Sequence, residues 1–384
     1  MIRNVRLLYI HNFLVDFRFQ EAFLPIYFAQ ITGSYASGMA VFAASTLTSA
    51  AMDIPTGILS DRMGRKITLV LSSLFLAAGI ACYALAHGLL LLFAGGMLCG
   101  LSECMFNGNN NALLYESLKS AGQHERFSHY QSRAGSMFQI GLGLSGLCAS
   151  FFLGHGLRFV FALGVVPQLL GIVVAFMFTE PRQHEIRHKE SLGHLRVCCL
   201  KIRHNPRLLL FIMAQAFSYA DEALFKFQTA YFNLLWPTWA LGIYRAVNHL
   251  LGFTGFWLAA RVLDRFRNFP VLIFRGGYWL FSQTVGLMLG NITTPLIFLS
   301  GALFYGPGQV ARDHLLQQEF TDEQRATMGS IASFACSILF AITALGIGVV
   351  SDRFGLKAGI ALGVAISAIS IPLYCRLFNN EGKI

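Results

Sequence analysis

Runs of about twenty or more apolar residues recur along the whole of this 384-residue chain, broken only by short charged or turn-forming clusters. A helix needs about 20 apolar residues to cross the hydrocarbon core of a bilayer. Helices also satisfy their own backbone hydrogen bonds, which lipid cannot do for them. Twelve such runs are expected to be spans: 5–31, 36–60, 67–87, 90–116, 132–154, 157–179, 206–234, 237–262, 269–290, 294–317, 325–350 and 357–378. The expected fold class is therefore an all-α membrane protein of 12 transmembrane helices. Composition agrees, with 55% hydrophobic and 12% charged residues, against about 25% charged in a soluble domain.

The formal charge of +10 does not point to nucleic acid, because the basic residues sit in short connections rather than on a soluble readout element. Their placement sets topology instead. Most of the 29 Lys and Arg fall at the termini and in the even-numbered loops, while Arg158, Arg353 and Lys357 fall in the others. The positive-inside rule then puts both termini in the cytoplasm. One long hydrophilic stretch, EPRQHEIRHKESLGHLRVCCLKIRHNPR at 180–207, separates two halves. The expected organisation is two pseudo-symmetric six-helix bundles, 1–179 and 206–384, joined by a cytoplasmic linker at 180–205. The opening MIRNVRLLYI lacks a small-residue cleavage site and reads as a retained first helix. The eight cysteines show no metal spacing; Cys82, Cys99, Cys148 and Cys336 lie singly in apolar runs, and the Cys198–Cys199 pair is expected to be reduced.

The first span, FLVDFRFQEAFLPIYF at 13–28, carries Asp16, Arg18 and Glu21. An ionised side chain costs about 3 kcal/mol at the centre of a membrane helix, so such residues mark function by default. The seventh span carries a comparable cluster, Asp221, Glu222 and Lys226, and FRFQ (17–20) echoes FKFQ (225–228). Matching polar breaks in two halves point to a binding site near the bilayer midplane. Arg18 with Glu21 (i, i+3) and Glu222 with Lys226 (i, i+4) have the spacing of local pairs, leaving Asp16 and Asp221 over. A carboxylate without a local partner in low dielectric suits a proton carrier, protonated in one conformation and ionised in another. Asp16, Glu103 and Asp221 are the first candidates for proton coupling, followed by Glu21 and Glu222.

In the fourth span Glu103, Asn107 and Asn111 share a helical face, either a cavity wall or a set of interhelical hydrogen bonds. The eighth span adds Arg245, Asn248 and His249. The expected cavity residues are Arg18, Asn107, Asn111, Lys226, Arg245 and His249, with Phe17 and Phe225 beside the charges. Arg312, Asp313 and His314 are expected at the cytoplasmic surface, and His11 as a hydrogen-bonded helix contact.

After the second span the chain reads GILSDRMGRK, 57–66. Gly57 permits close helix approach and Gly64 a tight turn. Asp61 with Arg62, Arg65 and Lys66 forms a compact charge cluster. The whole string, in a twelve-span chain with a 6+6 division, resembles the loop 2–3 signature of the major facilitator superfamily. DIPTG (53–57), ALLYESL (112–118) and DEQRAT (322–327) resemble a bacterial branch of it. The resemblance implies alternating access between two bundles, with Gly57, Asp61, Arg62, Gly64, Arg65 and Lys66 as a conformational latch. It also implies that Asp61 contacts the start of helix 11, where Thr321 and Gln324 give a T-x-x-Q capping pattern.

The chain departs from the family pattern in three places. GFWLAARVLDRFRN (255–268) keeps Gly255, Asp264 and Arg265 but lacks the glycine turn. SRAGSMFQIGLGLSG (132–146) has Gly135, Gly141, Gly143 and Gly146 but no Gly-Pro antiporter step. AGGMLCG (94–100) lacks the arginine found in proton-coupled exporters.

The leading functional expectation is a secondary active transporter, powered by the proton gradient without a bound cofactor or metal. It would export a small organic molecule (drug, metabolite or siderophore-like) across the bacterial inner membrane, as a monomer. The alternatives are import of a small polar or anionic nutrient, or a transport-inactive receptor or scaffold of the same fold. No nucleophile–base constellation or metal-ligand set supports an enzyme.

Overall fold

The computed structural model describes residues 2–180, 205–319 and 325–381. The linker expected at 180–205 lies outside the described residues save for its end residues, as do Cys198, Cys199, Thr321 and Gln324. Among the described residues there are helices, short 3₁₀ turns and connections, and no strand. The first half contributes α1 (Ile2–Val15), α2 (Leu24–Thr32), α3 (Tyr35–Met63), α4 (Arg65–Leu85) and α5 (Leu89–Lys119). Then come α6 (Phe127–Phe152), α7 (Leu157–Leu163) and α8 (Val165–Phe176). The second half contributes α9 (Pro206–Tyr219), α10 (Asp221–Phe232), α11 (Thr238–Arg265), α12 (Asn268–Leu289) and α13 (Thr294–Ser300). It ends with α14 (Tyr305–Glu319), α15 (Arg325–Phe354), α16 (Leu356–Ala368) and α17 (Ser370–Glu381).

Seven described helical segments are long and apolar enough to cross a membrane. The expected spans outside that set have visible reasons. The runs at 5–31 and 294–317 are interrupted by several residues outside α-helix, the turns at 16–23 between α1 and α2 and the 3₁₀ stretch Gly301–Phe304 between α13 and α14. The helices α3, α11 and α12, of 29, 28 and 22 residues, have spanning length at 1.5 Å per residue but carry more polar or charged positions.

The chain groups into two compact units. Unit 1 comprises Met1–Gly33, Ala44–His188 and Thr238–His249; unit 2 comprises Ser34–Ala43, Lys189–Pro237 and Leu250–Ile384. Each unit thus holds a short helical segment, 238–249 or 34–43, whose helix continues in the other.

In unit 1, α4 packs on α5 through small residues. A Cβ on Gly95 would lie 2.7 Å from the Tyr83 ring, and one on Gly79 would lie 2.7 Å from the Cys99 sulfur. Small residues let membrane helices approach closely and gain dispersion contacts where lipid offers no hydrophobic drive. Polar bonds add to this. His11 Nε2 lies 2.8 Å from Ser73 Oγ, and Ser72 Oγ donates to the Ser102 carbonyl at 2.9 Å. His11 is the helix contact its sequence setting suggested. The core beneath these includes Leu8, Leu69, Leu113, Leu114 and Phe178. In unit 2 the core includes Phe211, Phe269, Leu272, Tyr374 and Leu377. Here α11 meets the α13–α14 region at Gly255 and Gly306, where an added Cβ would strike facing backbone.

Candidate functional site

The charged segment of the first span is not helical. The α1 helix stops at Val15, residues 16–23 form turns, and α2 starts at Leu24. Pro25 explains the interruption. It lacks an N–H to bond the Glu21 carbonyl, and its ring clashes with that carbonyl in a continuous helix. The ladder is replaced by tighter bonds, Glu21 N–H to the Arg18 carbonyl at 3.2 Å and Phe23 N–H to the Gln20 carbonyl at 2.9 Å. Arg18 Nε donates back to the Val15 carbonyl at 3.0 Å, satisfying an acceptor left open by the end of α1.

This geometry adds to the expected pairing. Arg18 pairs with Asp16, Nη2 to Oδ1 at 3.4 Å. Asp16 is therefore not left over; it is buried, 6% exposed, against its neighbouring arginine. Glu21 and Glu103 also act electrostatically on Arg18, and the charge of Glu21 reaches His249.

The rest of unit 1 is shaped around the break. Gly141 of α6 leaves room for it, since a Cβ there would lie 2.9 Å from the Phe13 carbonyl oxygen. Ser145 Oγ donates to the Arg18 carbonyl at 3.3 Å. The glycines of 132–146 therefore have a packing role: Gly141 admits the broken segment and Gly146 admits Gly242 of α11. Further along α11, Arg245 and His249 are buried, and His249 Nδ1 lies 2.8 Å from Gln139 Oε1 of α6. On α5, Glu103, Asn107 and Asn111 are all exposed and share a face. Asn109 points the other way and is buried. Phe17 is half-buried and stacks edge-on against Phe19, ring centroids 5.1 Å apart.

Unit 2 holds a second charged cluster. Asp221 opens α10 immediately after the junction with α9, and Arg275 of α12 pairs with it, Nη2 to Oδ2 at 3.2 Å. The sequence reading left Asp221 without a partner because Arg275 comes from a different helix. Gly308 makes room for the Arg275 side chain, and the guanidinium lies 5.4 Å from the Tyr305 ring centroid. Pro307 accounts for the 3₁₀ stretch before α14, since it has no N–H to bond the Leu303 carbonyl. Arg312 is 9% exposed, a correction to its expected surface position, while Asp313 and His314 are exposed as expected. Lys226 places its ammonium 5.7 Å from the Phe42 ring centroid; Glu222 and Phe225 are half-buried on the same helix. Removing Arg275 strands a carboxylate with only 22% side-chain exposure. Arg275→Ala should therefore cost about 3 kcal/mol, and the Arg275→Ala/Asp221→Asn double variant should recover part of it. Thermal denaturation of the detergent-purified variants measures both.

At the loop 2–3 string, Gly64 adopts φ +91° and ends the α3 run. Arg65 then gathers four side chains. It bonds Asp61 Oδ1 at 3.0 Å, Glu116 Oε1 at 3.4 Å, Ser60 Oγ at 2.8 Å and Asn109 Oδ1 at 3.0 Å. Glu180 caps α4 from the far end of the half, accepting the Arg65 and Lys66 backbone N–H groups at 2.7 and 2.8 Å. A carboxylate at a helix N-terminus gains both hydrogen bonds and the dipole. Of the latch residues, Gly57 and Arg62 are exposed and Lys66 is half-buried. The expected partner of Asp61 at the start of helix 11 lies outside the described residues. Gly64→Ala should cost about 1–3 kcal/mol, because a Cβ would strain the backbone and lie 2.8 Å from the Glu180 carboxylate. A thermal-shift measurement reads this directly, and the same change at exposed Gly57 inside α3, where a Cβ meets no described atom within 4 Å, should hold or slightly raise the midpoint.

A helical membrane protein with charged clusters at interrupted spans has the build of a carrier. Comparison with known proteins gives the family: residues 13–344 match the Major Facilitator Superfamily, and the chain belongs to it. Its seven described candidate spans fit a multi-pass membrane member of that superfamily. Among solved structures it is similar to the nucleoside transporter NupG, with TM-score 0.79 and 14% identity, covering 98% of this chain and 98% of that one. It is also similar to a D-xylose-proton symporter, with TM-score 0.73 and 14% identity, covering 97% and 96%. At these identities the likeness is one of fold. The quinolone resistance protein NorA of Staphylococcus aureus (strain MRSA252) is 22% identical over 213 residues, 54% of this chain and 53% of NorA. The chain thus spans about half the length of the curated relative it matches.

Proposed function

We propose that this transporter is a proton-coupled exporter of a small organic molecule, working by alternating access with twelve spans in a bacterial cytoplasmic membrane. The observation that carries the reading is the interrupted first span. It brings Asp16, Arg18 and Glu21 out of a regular helix and sets Asp16 3.4 Å from the Arg18 guanidinium. A proton added to Asp16 changes how tightly Arg18 is held. That ties protonation to the backbone turn between α1 and α2, which is the link a coupled carrier needs. The mixture of carboxylates with Arg18, Arg245 and His249 suits a zwitterionic or anionic substrate better than a purely lipophilic cation. Export is favoured over import by the partial likeness to a protein named for quinolone resistance. The distribution of Lys and Arg supports cytoplasmic termini.

Transport into inside-out vesicles or proteoliposomes under an imposed pH gradient tests the reading. Accumulation of at least one compound from a panel of antibiotics, amino-acid-like metabolites and siderophores is expected, and it should collapse with a protonophore. Gradient-independent flux of every compound would remove the coupling; no flux at all would favour a transport-inactive member of the family.

A further inference from the structure

The loop 2–3 string has a second, nearly complete copy elsewhere in the chain. GILSDRMGRK at 57–66 recurs as GVVSDRFGLK at 348–357, with Gly, Ser, Asp, Arg, Gly and Lys at the same places. The likeness extends to the backbone. Gly64 (φ +91°, ψ 158°) and Gly355 (φ +88°, ψ 161°) share one conformation, and each immediately precedes the first residue of a helix, α4 or α16. The degenerate string at 255–268 has no such turn; its chain passes through Arg267 at negative φ. By the distribution of basic residues, the first copy faces the cytoplasm and the second faces the opposite side.

One charged position beside the aspartate differs between the copies. Asp61 is held within its own string by Arg65, four residues on. The matching position after Asp352 is Leu356, which offers no charge. Asp352 instead reaches the start of α3, within unit 2. Its carboxylate accepts the Ser34 hydroxyl at 2.6 Å, the Tyr35 N–H at 2.7 Å and the Ala36 N–H at 3.0 Å. The first turn of a helix has unsatisfied N–H groups and carries a partial positive charge, so a carboxylate with three donors is favoured there, even at an exposed position. Ser34 Oγ accepts the Ser37 N–H at 3.1 Å and completes the cap. One turn earlier on α15, Gly348 lets the two backbones touch, since a Cβ there would lie 2.6 Å from the Ala36 Cα.

The clasp joins helices from opposite halves of the sequence. Residues 34–43 group with unit 2 although the rest of α3 lies in unit 1. We propose that Asp352 is a second latch of the transport cycle, a positioning residue that holds the non-cytoplasmic side closed by capping α3. This rests on the alternating-access reading. If the two halves part on that side, α3 leaves α15 and all three bonds break together. The chain then carries one string twice, at opposite faces, and in the second copy the aspartate is given to a helix from the other half.

Site-directed labelling tests the latch. The eight cysteines are replaced and a single cysteine is placed on the exposed face of α5 as Asn107→Cys. Its reaction rate with a membrane-impermeant maleimide is measured in right-side-out and inside-out vesicles. Asp352→Ala should raise the outer rate about tenfold and lower the inner rate, since one charge-assisted cap is lost from one end state only. Ser34→Ala should move both rates the same way by about threefold. Should Asp352→Ala fail to fold, Asp352→Asn keeps the shape without the charge and should raise the outer rate about threefold. An unchanged outer rate in folded protein overturns the proposal. So does an equal rise at both faces, the signature of general loosening, and so does a rise confined to the inner face. No substrate or gradient enters this measurement, so a chain that transports nothing in the flux assay still reports on the latch.

Discussion

Replacing Arg65 with alanine should destabilise the protein by about 3 kcal/mol, seen as a melting midpoint several degrees lower in detergent. Arg65 has 14% side-chain exposure and Glu116 17%, so little water is available to take over when the guanidinium is removed. Two carboxylates, a buried amide and the Ser60 hydroxyl would lose a donor together. The part owed to Asp61 is the smaller, since Asp61 is 37% exposed and exposed pairs contribute little. Arg65→Lys separates charge from geometry. An ammonium restores the net charge but cannot present a planar fork to four acceptors at once, so it should recover less than half the loss. A full rescue by lysine would mean that only charge neutralisation matters here.

Replacing Asp16 with asparagine should nearly abolish gradient-driven accumulation while leaving the protein folded. The amide keeps an acceptor for Arg18 and fills nearly the same space in a site with 6% exposure, but it cannot lose a proton. If Asp16 carries the coupling, concentrative transport should fall by about a hundredfold, while exchange of substrate down its own gradient should fall far less. Asp221→Asn is the paired control. Its carboxylate is held by Arg275 and its charge is also felt by Arg312, so its loss should lower the melting midpoint as well as flux. Equal loss of exchange and accumulation in both variants would recast Asp16 as a binding or scaffold group.

Several of these features were legible in the residues, and the misses have a common cause. Gly64, Asp61 and Arg65 could be read from GILSDRMGRK because a turn and an i, i+4 pair are local. The polar face of Glu103, Asn107 and Asn111 was legible for the same reason, from helical period alone. Arg275, Asn109 and Glu116 escaped because they reach their partners from other helices, and Glu180 because it comes from the connection after α8; periodicity says nothing about which element lies alongside. The Asp16–Arg18 pair escaped for a different reason. Pro25 stands four residues beyond Glu21 and marked the break, but the apolar character of 5–31 suggested an unbroken span. The string at 348–357 needed only comparison of the chain with itself, and its geometry then supplied the partner.

The central claim, that the interrupted first span couples proton movement to transport, is tested most directly by watching protons. Protein is reconstituted into vesicles loaded with a pH-sensitive dye, and a transported compound is added with no pH gradient imposed. Wild type should change the internal pH as substrate moves, and Asp16→Asn should move substrate with no pH change. A pH change in Asp16→Asn equal to that of wild type would contradict the account.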